Sequence, residues 1–222
     1  MTVSEPRAAM VHSAAALLRQ DGVRGASFAR VIEHSGAPRG SIGHHFPGGK
    51  AELMADALAA AGAEVSGALA RIRDGGASAA DLVRAMCSYF ASGLRATDYR
   101  SGCPAAAVAM EAHDNPGLRQ TASEIVDGWQ VVLTDLLEED GLDHGEARAR
   151  AQLCIAAVEG ALLLARLHRS TEPLEQVGGQ LGELLRLGRR SPRPREEHHH
   201  KEHEGDEPGA PDGHGEPEPA HP

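Results

Sequence analysis

SGAPRGSIGHHFPGGKAEL, residues 35–53, holds two chain breaks on either side of a short segment that is part apolar and part basic. Gly36 has no Cβ to clash at positive φ, so it can reverse the chain sharply after a helix that starts at Ser27. Pro38 carries a helical φ and lacks the N–H that a first helical turn leaves unpaired, so it opens a second short helix over residues 38–45. Ile42 and Phe46 stand four apart and share a face, which is expected to pack on Phe28, Val31 and Ile32. Pro47, Gly48 and Gly49 end this helix, and a long one begins at Lys50 with its first N–H groups placed to hold a phosphate. The unit is helix, tight turn, helix.

The second helix presents hydrogen-bond donors. Arg39, Ser41, His44 and His45 suit phosphate oxygens and base edges, and arginine pairs especially well with the two major-groove acceptors of guanine. With Gly40 and Gly43 beside them, and Arg24, Ser27 and Lys50 flanking, they form the expected DNA-binding set. Adjacent histidines on a helix point about 100° apart, which makes His44 and His45 a poor chelating pair.

The HHFPGGKAEL ending, within a segment from about Arg7 to Leu58, resembles the DNA-binding domain of the tetracycline-repressor (TetR) family. The form SGAPRGS…HHFPGGK, together with Gly102-Cys103-Pro104, resembles its LmrA/YxaF-like subgroup. The resemblance implies a three-helix reading head followed by an effector-binding and dimerisation domain, and it implies repression. One position departs from the family pattern: Gly43 stands where the family usually has a tyrosine whose hydroxyl contacts the DNA backbone. A mid-helix glycine costs about 1 kcal/mol relative to alanine.

Composition agrees with an all-α chain of about nine helices. Aromatic residues make up 3% of the 222, and alanine and leucine dominate over strand-forming runs. The net charge of −10 is unevenly placed: residues 1–60 hold six Lys/Arg against five Asp/Glu, 61–188 eleven against eighteen, and 189–222 five against nine. A head so near neutrality predicts few phosphate neutralisations per monomer, hence dependence on dimerisation and on Arg7, Arg24, Arg30, Arg39 and Lys50 sharing one face. No signal-peptide core and no uninterrupted apolar span is apparent, so the expected location is cytoplasmic, without a membrane partner. Cys87, Cys103 and Cys154 show neither an even count nor CxxC spacing. Phosphate-binding glycine loops, nucleophile elbows and HExxH patterns are lacking, so neither an enzyme nor a cofactor is expected.

Three regions follow: residues 1–49 for DNA binding, 50–188 for effector binding and dimerisation, and 189–222 as an acidic His/Pro-rich tail expected to be disordered. A first helix over 6–20 braces the reading pair, with Gly22 after its end. Ser78, Asn115-Pro116 and Asp143 with Glu146 mark later helix starts. Two apolar helices close the ordered region, and Cys154, Val158, Ala161, Leu162, Ala165, Leu174, Val177, Leu181 and Leu184 are expected to form a homodimeric four-helix bundle. An effector cavity, implied by the resemblance, has Met54, Met86, Phe90, Met110 and Trp129 as candidate walls and His113 and Glu159 as candidate polar contacts. The reading is a dimeric repressor on a near-palindromic double-stranded operator, released by a small hydrophobic molecule. The alternatives are redox sensing through the cysteines, metal sensing through the His198–His200 run with His203, and an architectural helical protein that binds DNA or a partner.

Overall fold

Short polar caps decide where the helices begin. Ser27 accepts the Arg30 N–H and starts α2 (Phe28–Ser35), and Gly36 closes it at φ 67°, in the left-handed region. Ser78 and Asp81 form a reciprocal capping box at the head of α5 (Ala79–Ala96). Asn115 caps α7 (Pro116–Glu139), and Asp143, by accepting the Glu146 N–H, caps α8 (His144–His168). The structure, a computed structural model, describes residues 5–111 and 114–187. The remaining helices there are α1 (Glu5–Gly25), α3 (Ile42–His45), α4 (Gly49–Asp74), α6 (Pro104–Glu111) and α9 (Glu172–Leu187). The nine helices, with no strand among the described residues, make the all-α fold expected from the sequence.

Two boundaries differ from expectation. The first helix does not stop before Gly22 but continues to Gly25 across a kink, where Gly22 adopts φ 73° and ψ −174°. The second helix of the reading pair is a single turn, because residues 38–41 form a turn closed by the Ser41 N–H on the Pro38 carbonyl at 3.0 Å. Gly40 and Gly43 weaken helical order there, and Ser41 turns its hydroxyl onto the same Pro38 carbonyl at 2.7 Å, competing with helical pairing.

The core runs through the whole described region. α1 packs on α2, α4 and α6; α4 packs on α7; and α5, α7, α8 and α9 pack among themselves. Met10, Leu18, Phe46, Leu53, Leu58, Leu82, Leu133 and Leu174 are fully buried along this path. Trp129 is buried between α7 and α4, with its indole N–H on the Ser66 hydroxyl at 3.1 Å, so its polar atom is satisfied. All described residues belong to one contact unit, and the boundary expected after residue 49 falls inside it, at the start of α4. α4 and α8 are long and apolar enough to span a bilayer by length and composition, but charged residues such as Asp56 and Glu159 interrupt them, and each buries part of its surface against neighbouring helices. The tail from residue 189 lies outside the described residues, as do His198, His199, His200 and His203.

Candidate nucleic-acid interface

The reading head is built on the buried side of α2 and α3. Val31, Ile32, Ile42 and Phe46 are buried and Phe28 partly so, as the four-residue spacing required. What holds α3 from outside is Arg7. Its guanidinium lies 4.8 Å over the Phe46 ring, donates Nε to the His45 carbonyl at 3.4 Å, and pairs with Glu52 at 3.3 Å and Asp56 at 2.5 Å. Arg7 is therefore committed within the chain, where it ties α1 to α3 and α4. Arg30 is likewise engaged within the chain, with Asp21 at 2.6 Å and the Gly25 carbonyl at 2.9 Å. Both arginines lie close to carboxylates, and opposite charges at that range outcompete solvent exposure.

Three cations of the expected set remain at the surface. Arg24, Arg39 and Lys50 are exposed, and none of their side chains makes a hydrogen bond or ion pair among the described residues. Arg39 borders an open cleft of about 630 Å³ between α2 and α3, with Glu33 and Ile42 also on its wall. Gly40, Gly43 and His44 are exposed, while Ser41 and His45 are half-buried. The His44 and His45 rings meet edge to face with centroids 5.4 Å apart. Ser27 spends its hydroxyl on the α2 cap. A Cβ built on Gly43 would meet no heavy atom within 4 Å, so the departure from the family tyrosine leaves open space rather than a filled site.

The start of α4 is not an open anion site. Its N-cap is Gly48, without a side-chain cap, and the Glu52 carboxylate reaches back to accept the Gly48 N–H at 2.8 Å. A negative charge already sits where helix-end N–H groups favour one.

The expected dimer residues are placed mostly inside one chain. Cys154, Val158, Ala161, Leu162, Ala165, Leu174 and Leu181 are buried, Val177 is partly buried, and Leu184 is exposed. An apolar helix does not reveal which of its faces meets its own chain, and here α5, α7 and α9 cover that face of α8. The face left open carries Leu153, Leu163, Leu164 and Leu167 on α8, with exposed Ala156 and Gly160 between them, and Leu184 on α9. The three- and four-residue spacing gathers the α8 residues into a stripe about a third of the helix circumference wide. That spacing was present in the sequence but merged with the buried stripe beside it.

The expected effector residues separate in the same way. Met54, Met86 and Trp129 are core. Phe90 lines a 400 Å³ cavity under α1, beside Tyr89, Val65 and Leu162. Met110 and Glu159 line an adjacent 390 Å³ cavity bounded by α1, α6 and α8. His113 lies outside the described residues. Burial drives the Glu159 carboxyl above the usual carboxylate range, against a lowering hydrogen bond from Cys103. Burial also pushes the Cys87 and Cys154 thiols up to about 11 and the Cys103 thiol higher still, so all three are held as thiols, the less reactive form. No group of three or more His, Cys, Asp or Glu side chains among the described residues is placed to hold a metal ion.

Known proteins share both halves of this arrangement. Residues 11–57 match the tetR family of bacterial regulatory proteins, and residues 79–180 match the C-terminal domain of LmrA/YxaF-like transcriptional regulators. An uncharacterised HTH-type transcriptional regulator of Mycobacterium tuberculosis is 38% identical over 186 residues, spanning 81% of this chain and 94% of that protein. The HTH-type transcriptional regulator LmrA of Bacillus subtilis is 25% identical over 187 residues, 84% of this chain and 100% of its own. A TetR transcriptional regulator from Chloroflexus aurantiacus, 28% identical, superposes with a TM-score of 0.69 over 82% of this chain and 94% of that one. One from Legionella pneumophila, 24% identical, shares the fold with a TM-score of 0.72 over 83% and 99%. With a capped helix-turn-helix at one end and an LmrA/YxaF-like helical domain at the other, the chain belongs to the TetR family of bacterial transcriptional regulators and is not an enzyme.

Proposed function

We propose that the protein is a dimeric cytoplasmic repressor that binds a near-palindromic operator and leaves it when a small, largely apolar effector enters the helical domain. The observation that carries this reading is the separation of three surfaces. Arg39, His44 and Lys50 are exposed on the head, the leucine stripe of α8 is exposed far along the chain, and cavities of about 400 Å³ lie between α1 and the helices that bear that stripe. Residues 1–49 supply the head and, through α1, one wall of the cavities, and residues 50–188 supply the other walls and the dimer face.

Pairing two copies through Leu153, Leu164 and Leu167 of α8 and Leu184 of α9 buries side chains that water otherwise meets, at about 25 cal/mol per Å² of apolar surface. Two heads on one symmetry axis must reach major grooves about 34–36 Å apart, so a change that alters their separation removes a half-site's contacts without touching α3. Operator selection from a random duplex pool, followed by sedimentation of the complex, tests the reading. A palindromic consensus bound by two chains is expected; a sequence-indifferent pool or a one-chain complex refutes it.

A further inference from the structure

Three side chains from three other elements hold the C-terminal end of α1. Arg166 of α8 donates to the Gln20 carbonyl at 3.2 Å, Arg100 in the segment before α6 bonds both Asp21 carboxylate oxygens at 3.2 and 3.3 Å, and Glu111 at the end of α6 accepts the Arg24 N–H at 2.9 Å. They surround Gly22, where a Cβ would stand 1.9 Å from Glu111 Oε1, so the absence of a side chain is what admits the carboxylate. Asp21 also bonds Arg30 of α2, which brings the clamp within one contact of the reading head.

Beneath this clamp lies the 390 Å³ cavity, and Asp21, Gly22, Glu111 and Arg166 are themselves part of its wall. Its other charged side chains are Arg19, bonded to Glu64 and to the Ala61 carbonyl, and Glu159. Glu159 stands differently from the rest: its partner is the Cys103 thiol, a weak donor with no charge. The cavity wall around it includes Leu18, Ala106, Ala107 and Leu162, which offer no counter-charge. Removing a carboxylate from water is costly unless an opposite charge accompanies it.

We propose that this cavity binds a lipophilic amine, with the ammonium group on Glu159 and the hydrocarbon body against Leu18, Ala107 and Leu162. The regulatory consequence rests on the effector-released reading given above: an occupant touching Glu111 and Arg166 competes with their bonds to α1 and loosens the clamp on the head. The cavity under Phe90 lacks such an acid and, apart from Gln20, none of the clamp's residues borders it.

Calorimetric titration of the full chain with 4-phenylbutylamine, 4-phenylbutan-1-ol and 4-phenylbutyrate tests the site. The amine should bind tightest and the carboxylate weakest. Glu159→Gln, nearly isosteric, should weaken the amine about tenfold or more while leaving the alcohol within about threefold, and Ala107→Phe should block both by filling the cavity. An amine no better than the alcohol, an amine indifferent to Glu159→Gln, or no binding by any probe overturns the proposal. The three-probe comparison on the unaltered chain decides the point even where a variant fails to fold. Amine binding with undiminished operator affinity upholds the site and refutes instead the effector-released reading.

Discussion

Replacing Gly43 probes the reading surface directly, because that position is exposed, lies within α3, and has no heavy atom within 4 Å of a built Cβ. Its φ is outside the left-handed region, so an L side chain enters without backbone strain. Gly43→Ala removes unfolded-state freedom at no steric cost, worth about 0.4–1 kcal/mol, which is about a two- to fivefold gain in the ordered form of this turn. Gly43→Tyr adds the hydroxyl that the family's usual tyrosine is expected to place on the DNA backbone. A hydrogen bond to a charged group contributes about 1.5–3 kcal/mol, and ordering the side chain costs about 0.5–1.5. The net gain is about 1 kcal/mol per half-site, or about fivefold, and roughly 25-fold for a dimer engaging both half-sites. Fluorescence anisotropy with the selected operator, alongside thermal melts of each variant, reads both effects. A lower melting temperature for Gly43→Ala would show that the backbone there is not helical. Unchanged or weakened operator binding by Gly43→Tyr would refute the placement of this face against the duplex.

Other outcomes follow from the same contacts. Arg7→Met should lower the melting temperature by about 3–6 °C, since charge-assisted bonds at partly exposed sites sum to about 1–2 kcal/mol; the salt slope of operator binding should not change, and a shallower slope would return Arg7 to the DNA surface. Leu164→Glu, on the open stripe of α8, should convert dimers to monomers in sedimentation at micromolar concentration while helicity by circular dichroism stays intact, and an unchanged dimer would place the interface elsewhere. Burial alone would raise the Asp21 carboxyl, but hydrogen bonds and charges from Arg30 and Arg100 outweigh it and hold it below the ordinary value. A depressed folded-state value stabilises the protein above the unfolded carboxylate range and loses that effect as pH falls through it, so the deficit of Asp21→Asn should be full at neutral pH and close below about pH 4; a deficit of constant size at every pH would contradict this.

Much of the fold was legible because its punctuation is local. Ser27, Gly36, Ser78, Asn115 and Asp143 act on backbone groups within three residues of themselves, and the structure uses each where the sequence suggested. Long-range choices were not legible in the same way. Arg7 looks like a DNA-facing cation until α4 brings Glu52 and Asp56 beside it. The α8 helix shows apolar residues nearly all round, and only the packing of α5, α7 and α9 separates the covered face at Cys154 and Val158 from the open one at Leu153 and Leu164. Residue type was also a weak guide to the cavities, since Met54, Met86 and Trp129 fill the core whereas small residues such as Gly102 and Ala106 border open space. Glu159 was named from sequence as a candidate polar contact of the implied cavity; Glu111 and Arg166 were missed because the Gly22 kink that gives them purpose is a tertiary feature.

The carboxylate of Glu52 at the start of α4 bears on how the head would grip a duplex. Any phosphate approaching those amides, at an operator or elsewhere, must first displace a tethered anion, so this helix end is a poor backbone anchor.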